Sequence, residues 1–94
     1  MSLITSFRHK GLKRFFLTGN ISGIASKHAP GLRLLLSLLS AAATVQDMNF
    51  PGSGLHMLKG KEKGRWAITV SGNWRLTFRF EEGEASEVDY EDYH

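Results

Sequence analysis

The stretch RWAITVSGNWRLTFRF, residues 65–80, leaves this chain few folds to choose from. RWAITV is rich in strand formers, and WRLTFRF alternates Trp74, Leu76, Phe78 and Phe80 with Arg75, Thr77 and Arg79. Between them, SGN reads as a tight hairpin connection. Successive side chains of a strand point to opposite faces, so the second strand has one apolar face and one cationic face. The apolar face must be buried, and the rest of a 94-residue chain has to bury it.

The remaining segments supply that cover. Leu3 to Phe7 alternates weakly and suits a short first strand. From about His9 to Leu17, Leu12, Phe15 and Phe16 follow helical spacing with Lys10, Lys13 and Arg14 opposite, which predicts a basic amphipathic helix stopped at Gly19-Asn20. A second helix begins near Ser26 to Pro30, with serine suited to the cap and proline to the first turn. Leu32, Leu35, Leu36, Leu39, Ala42 and Ala43 form its apolar stripe. Leu34 and Leu38 fall outside it, to broaden the buried face or to meet a partner. FPGSG then breaks the pattern, LHML is a short strand with His56 opposite in facing to Leu55 and Met57, and KGKEKG is a charged turn. EEG turns the chain again, and EASEVDY supplies a last strand. The expected fold is a single α+β domain over residues 1–94: an N-terminal strand and a helical hairpin packed on a small, mainly antiparallel sheet.

Charge is divided unevenly. All twelve Lys and Arg lie in residues 1–80 beside only Asp47 and Glu62, whereas residues 81–94 hold seven acids and no Lys or Arg. A body of net charge +10 followed by a segment of −7 suggests a polyanion-binding surface with an acidic end packed beside it. Without cysteine there is no disulfide and no thiolate metal site. The leucine-rich segment at 32–39 is broken by Arg33 and Ser37, so it is too short and interrupted to span a bilayer. No secretory signal is expected, and a cytoplasmic location follows as the default.

The chain closes on EVDYEDYH, and the cationic sheet face brings that end into a chemical context. His56, Lys59, Arg65, Arg75, Arg79, Asp92, Tyr93 and His94 are expected on one exposed face. Cleaving RNA through its own 2′-hydroxyl needs a base for the 2′ proton, an acid for the departing 5′ oxygen and cations for the phosphorane charge. Histidine suits either proton role, and guanidinium groups fit phosphate oxygens. The Tyr93 phenol suits a hydrogen-bond donor or a stacking surface. Metal ligation by His56, Asp92 and His94 is the alternative, although their spacing matches no local metal motif. A binding protein that only holds phosphates would use the same cations.

Taken together, LHMLKG, GRWAITVSGNWRLTFRF, GEA, the closing DYH and the opening ITSFRHKGLKRFF resemble the HigB group of toxins within the RelE superfamily. The resemblance covers nearly the whole chain. It implies a RelE-like fold and a ribosome-dependent mRNA interferase that cuts messages in the A site without a cofactor. It also implies a HigA-type helix-turn-helix antitoxin as partner, with no membrane association and no direct DNA binding without that antitoxin. Carried over by position, His56, Asp92, Tyr93 and His94 form the catalytic cluster, and Lys59 and Arg75 contact the scissile phosphate or neighbouring RNA. Arg65 and Arg79 are further RNA contacts, while Trp74 falls on the core side. Two positions depart from the pattern: Ser71 stands where relatives have Asn, and Gly54 where a larger, often basic residue precedes LH.

Overall fold

In the computed structural model, which describes residues 4–93, the chain runs through α1 (Lys10–Thr18) and α2 (Ala29–Ala41). It continues into β1 (His56–Met57), β2 (Arg65–Ser71), β3 (Trp74–Glu81) and β4 (Glu84–Asp92). The four strands form one antiparallel sheet in chain order. Both helices cover the face that carries Ile68, Leu76, Phe78, Val88 and Tyr90, all buried, while the opposite face stays uncovered by helix.

Local signals account for the helices. His9 caps α1 by accepting the Leu12 N–H at Nδ1, 2.9 Å away, and Gly19 ends it in the left-handed conformation with its N–H on Phe15 O. Leu12 and Phe15 are its buried residues. A short 3-10 turn at Ser26–His28 precedes α2, so the cap is His28 rather than Ser26, and Pro30 sits in the first turn as expected. Leu32, Leu35, Leu36 and Leu39 are buried, each worth roughly 1.5–3 kcal/mol of transfer free energy. Leu34 and Leu38 face out, 60% and 39% exposed, so they do not widen the buried stripe. Ala43 is also exposed, because α2 ends at Ala41 and a capping box of Thr44 and Asp47 starts the next turn. No described helix is long and apolar enough to cross a membrane.

The expected first strand is reduced to two parallel bridges onto β4, Ile4↔Ala85 and Phe7↔Val88; Leu3 lies outside the described residues. They flank an irregularity in β4. Two residues, Glu87 and Val88, oppose Phe78 alone, and Glu87 takes a left-handed φ of 49°. For a residue with a Cβ this conformation costs roughly 1–2 kcal/mol. Ser6 supports it from the N-terminal segment: its Oγ accepts the Glu87 N–H at 2.9 Å and its carbonyl accepts the Val88 N–H at 3.1 Å. The extra residue resets the alternation of β4. Beyond it, Val88 and Tyr90 turn inward, and Asp89 and Glu91 turn to the uncovered face.

Candidate active site

The uncovered face is assembled by strand register. Arg65, Ala67 and Thr69 of β2 lie opposite Arg79, Thr77 and Arg75 of β3; Thr77 and Arg75 lie opposite Asp89 and Glu91 of β4; and His56 of β1 lies opposite Ala67. Paired residues share a face, so His56, Ala67, Thr77 and Asp89 form one row across the sheet. At about 4.8 Å per strand, His56 and Thr77 backbones stand roughly 10 Å apart, with only the small Ala67 between them.

His56 is exposed, and its Nδ1 lies 2.9 Å from the Gly54 carbonyl. A carbonyl only accepts, so the ring nitrogen donates, and the neutral imidazole is left with Nε2 as its acceptor. Gly54 itself sits at a φ of +60° with Thr69 Oγ1 3.1 Å from where a Cβ would lie. A larger residue there would be strained and crowded. Lys59 is exposed just ahead of the 3-10 turn Gly60–Glu62. Arg75 donates from Nη1 to the Gly72 and Trp74 carbonyls, at 2.7 and 3.1 Å, which pins one edge of its guanidinium beside the hairpin turn. Trp74 packs against the core, as its side of the strand requires.

Arg65 departs from expectation. It was expected on the exposed face, and it lies on that face but is fully buried. Its Nη2 donates to Thr77 Oγ1 at 2.9 Å, and its Nε sits 3.4 Å from Glu62 Oε2 without hydrogen-bond geometry. Burial, followed by the nearby Arg8 cation, pushes the guanidinium below its ordinary value, while Glu62, Glu91 and Glu87 oppose the shift. Alternation along the strand distinguishes faces, not depth, and long charged neighbours close over this position. Arg79 is partly covered as well, with its Nε 2.9 Å from Glu87 Oε2. Glu87 also accepts from Arg8 Nη2 at 3.1 Å, so one carboxylate ties the N-terminal segment to β3.

The end of β4 divides its side chains between faces. Asp92 is paired with Trp74 and so points toward the helical side, on the same face as Tyr90. Tyr93 returns to the uncovered face, its N–H bonded to Asn73 O at 2.7 Å. Burial pushes the Tyr93 phenol up, Glu91 and Glu62 add to the rise, and Arg65 and Arg75 oppose it. The phenol is therefore a donor at neutral pH, amid two acids and two cations. His94 lies outside the described residues. The structure thus brings His56, Arg75 and Tyr93 onto one face, leaves Asp92 on the other side of the strand, and commits Arg65 and Arg79 to internal partners. Among the described residues, no group of three or more His, Asp or Glu is placed to hold a metal ion.

Sequence reasoning passed over Glu91 and Thr77. Thr77 is fully buried and donates to Glu91 Oε2 at 2.6 Å while accepting from Arg65. The two-residue spacing of Glu91 and Tyr93 in a strand was the available signal. It also passed over His28, whose buried ring bonds to the Tyr90 hydroxyl. Nothing in a histidine between lysine and alanine points to burial.

Comparison with known proteins adds a lineage to this geometry. A family model described as the RelE-like toxin of the type II toxin-antitoxin system HigB matches residues 5–94. The endoribonuclease HigB of Proteus vulgaris is 41% identical over 92 residues, covering 98% of this chain and 100% of that protein.

Proposed function

The chain belongs to the RelE-like HigB toxins of type II toxin-antitoxin systems, and from that premise we propose that it is an endoribonuclease that cuts translated mRNA in the ribosomal A site. The observation that carries the reading is the setting of His56. Its bond to Gly54 leaves Nε2 as the ring's acceptor, and so a base, in an exposed side chain on the face that also holds Arg75 and Tyr93.

In this reading Nε2 of His56 takes the 2′-hydroxyl proton as the 2′ oxygen attacks phosphorus. The P–O5′ bond breaks, and the 5′ oxygen leaves with a proton from His94, giving a 2′,3′-cyclic phosphate and a 5′-hydroxyl. Asp92, two residues before His94 in the sequence, is assigned the role of orienting it. Arg75 and Lys59 hold the non-bridging oxygens, and Tyr93 donates a hydrogen bond to the phosphate or stacks on a base. Arg65 and Arg79 stay with their carboxylates, as scaffold. The ribosome supplies the message in a fixed geometry, which converts binding into alignment. The partner is a HigA-type helix-turn-helix antitoxin that neutralises the toxin, and the site of action is the cytoplasm, where messages are translated.

Mapping of mRNA 5′ ends in a ribosome-containing translation reaction tests this. His56→Ala and a chain lacking His94 are each expected to lose in-frame cuts, by about 10²–10⁴ in rate for a positioned acid or base. Ribosome binding without cuts from the intact chain would instead make it a phosphate-binding regulator.

A further inference from the structure

Across the uncovered face runs a polar chain that the proposed chemistry does not use. Thr77 sits at its centre. A guanidinium has no acceptor, so Arg65 Nη2 must donate to Thr77 Oγ1, and the single hydroxyl proton then goes to Glu91 Oε2. Both bonds are charge-assisted, at 2.9 and 2.6 Å, and both Arg65 and Thr77 are fully buried. The direction of every link is fixed, and all of it ends on one carboxylate.

That carboxylate stands between two groups of the candidate site. Arg75 is directly opposite Glu91 in the register of β3 and β4, and Tyr93 is two residues further along the same face. Facing side chains of such a pair start about 5 Å apart at Cβ. We propose that Glu91 is a positioning residue: the buried Arg65–Thr77 chain fixes its carboxylate, and the fixed carboxylate holds Arg75 and the Tyr93 hydroxyl in the arrangement that grips an RNA phosphodiester. This rests on the ribonuclease reading above.

Three observations converge on it. Arg75 has Nη1 spent on two backbone carbonyls, so one edge of its guanidinium is already fixed, and Glu91 is its cross-strand partner on the same face. After burial itself, Glu91 is the foremost cause raising the Tyr93 phenol above its ordinary value. Lastly, a fully buried guanidinium with Nη1 lacking a hydrogen-bond partner among the described residues is a poor device for stability alone. An apolar side chain of similar volume in such a place is often neutral or stabilising. What the chain does accomplish is to immobilise its exposed end.

The test compares Glu91→Gln, Thr77→Val and Thr77→Ser by single-turnover cleavage of translated mRNA and by thermal melting. It adds an NMR titration of the Tyr93 phenol in ring-labelled protein. Glu91→Gln and Thr77→Val are expected to cut about 10- to 100-fold more slowly at saturating ribosomes, the scale of an ångström-level misplacement. Half-saturation should change less than threefold. Thr77→Ser, which keeps the hydroxyl, should recover most of the rate lost in Thr77→Val. The Tyr93 midpoint should fall in Glu91→Gln and Thr77→Val and return in Thr77→Ser. Rates within twofold of the parent with only a lower melting temperature would reduce the chain to a structural strap and overturn the proposal. If the intact chain does not cut RNA at all, the ribonuclease reading fails by itself. The phenol titration then decides alone, and an unmoved midpoint overturns the coupling.

Discussion

Nδ1 of His28 and the hydroxyl of Tyr90 share a hydrogen bond in the buried seam between the start of α2 and the end of β4. Tyr90 stacks on Trp74 with ring centroids 4.5 Å apart, and the His28 ring meets both edge-on. Burial pushes the phenol above its ordinary value, against a hydrogen bond from the Ala25 backbone, so the hydroxyl stays protonated where it meets Nδ1. β4 is an outer strand of the sheet, and this bond ties its last turn of residues to the helical layer just ahead of Asp92 and Tyr93.

Tyr90→Phe keeps the stacked ring and removes only the hydroxyl. The buried His28 Nδ1 then loses its partner, at a cost of about 1–3 kcal/mol. The urea midpoint is expected to fall correspondingly, with an unchanged slope. Cleavage at a temperature where the variant stays folded is expected to fall too, because the end of β4 loses its tie to α2. A loss of stability with full cleavage would mean that β3 alone positions the terminus.

Arg65 and Arg75 separate structure from function on one sheet face. Truncating Arg65 empties a fully buried site and takes from the buried Thr77 hydroxyl its donor, so Arg65→Ala should unfold at distinctly lower denaturant. Arg75 is only partly buried and holds two carbonyls of its own turn, so Arg75→Ala should change stability by less than about 1.5 kcal/mol. Its cleavage should nonetheless drop sharply, by loss of a phosphate contact. Denaturation and cleavage measured side by side check the pair; the reverse order would place the phosphate at Arg65.

Period-two alternation in residues 65–80 was enough to place the hairpin, its faces and the core side of Trp74, because burial and polarity there follow one rule. The leucine stripe of α2 was legible for the same reason. Two things were not. The bulge at Glu87 carries no local sign, since glutamate has no preference for a left-handed φ, and the conformation is held from Ser6, far away in sequence. That bulge decides which of Glu91, Asp92 and Tyr93 reach the uncovered face. Depth was illegible too: Arg65 and Arg75 look alike in sequence, and only the neighbours folded over Arg65 distinguish them.

The Glu87 clamp makes the N-terminal segment sensitive to acid. A hydrogen bond from Arg8 is the largest cause holding the Glu87 carboxyl below its ordinary range, and Arg79 adds to it. A carboxyl with a depressed folded pKa contributes stability that is complete above its unfolded value and is lost as pH falls through the lower, folded one. The contribution is modest, because the carboxylate is 40% exposed and solvent screens both pairs. Protection against hydrogen exchange, relative to the intrinsic rate at each pH, at the Thr5, Arg8 and Val88 amides that link this segment to β4 should be flat above the ordinary carboxylate range and fall below it. Glu87→Gln should abolish the acid step and be less protected throughout. Acid-independent protection in the parent would show that backbone bonds alone hold the segment.

Gly11 and Gly23 fix how closely α1 meets the loop ahead of α2. A Cβ built on Gly11 would lie 2.5 Å from the Gly23 carbonyl oxygen, and one on Gly23 would lie 2.4 Å from Gly11 Cα. Alanine inside a helix gains about 1 kcal/mol in propensity over glycine. Here the obstacle is backbone, which cannot rotate away as a side chain does, and overpacking costs about 1–3 kcal/mol. The clash is expected to win. Gly31, also helical but with nothing within 4 Å of its would-be Cβ, is the matched control. Melting temperatures should therefore rank Gly31→Ala above the parent and Gly11→Ala below it. Cleavage by both should be normal while folded, since neither lies on the uncovered sheet face. A Gly11→Ala protein as stable as Gly31→Ala would mean that the loop at Gly23 yields freely, and the close approach would lose its role in setting the helical layer.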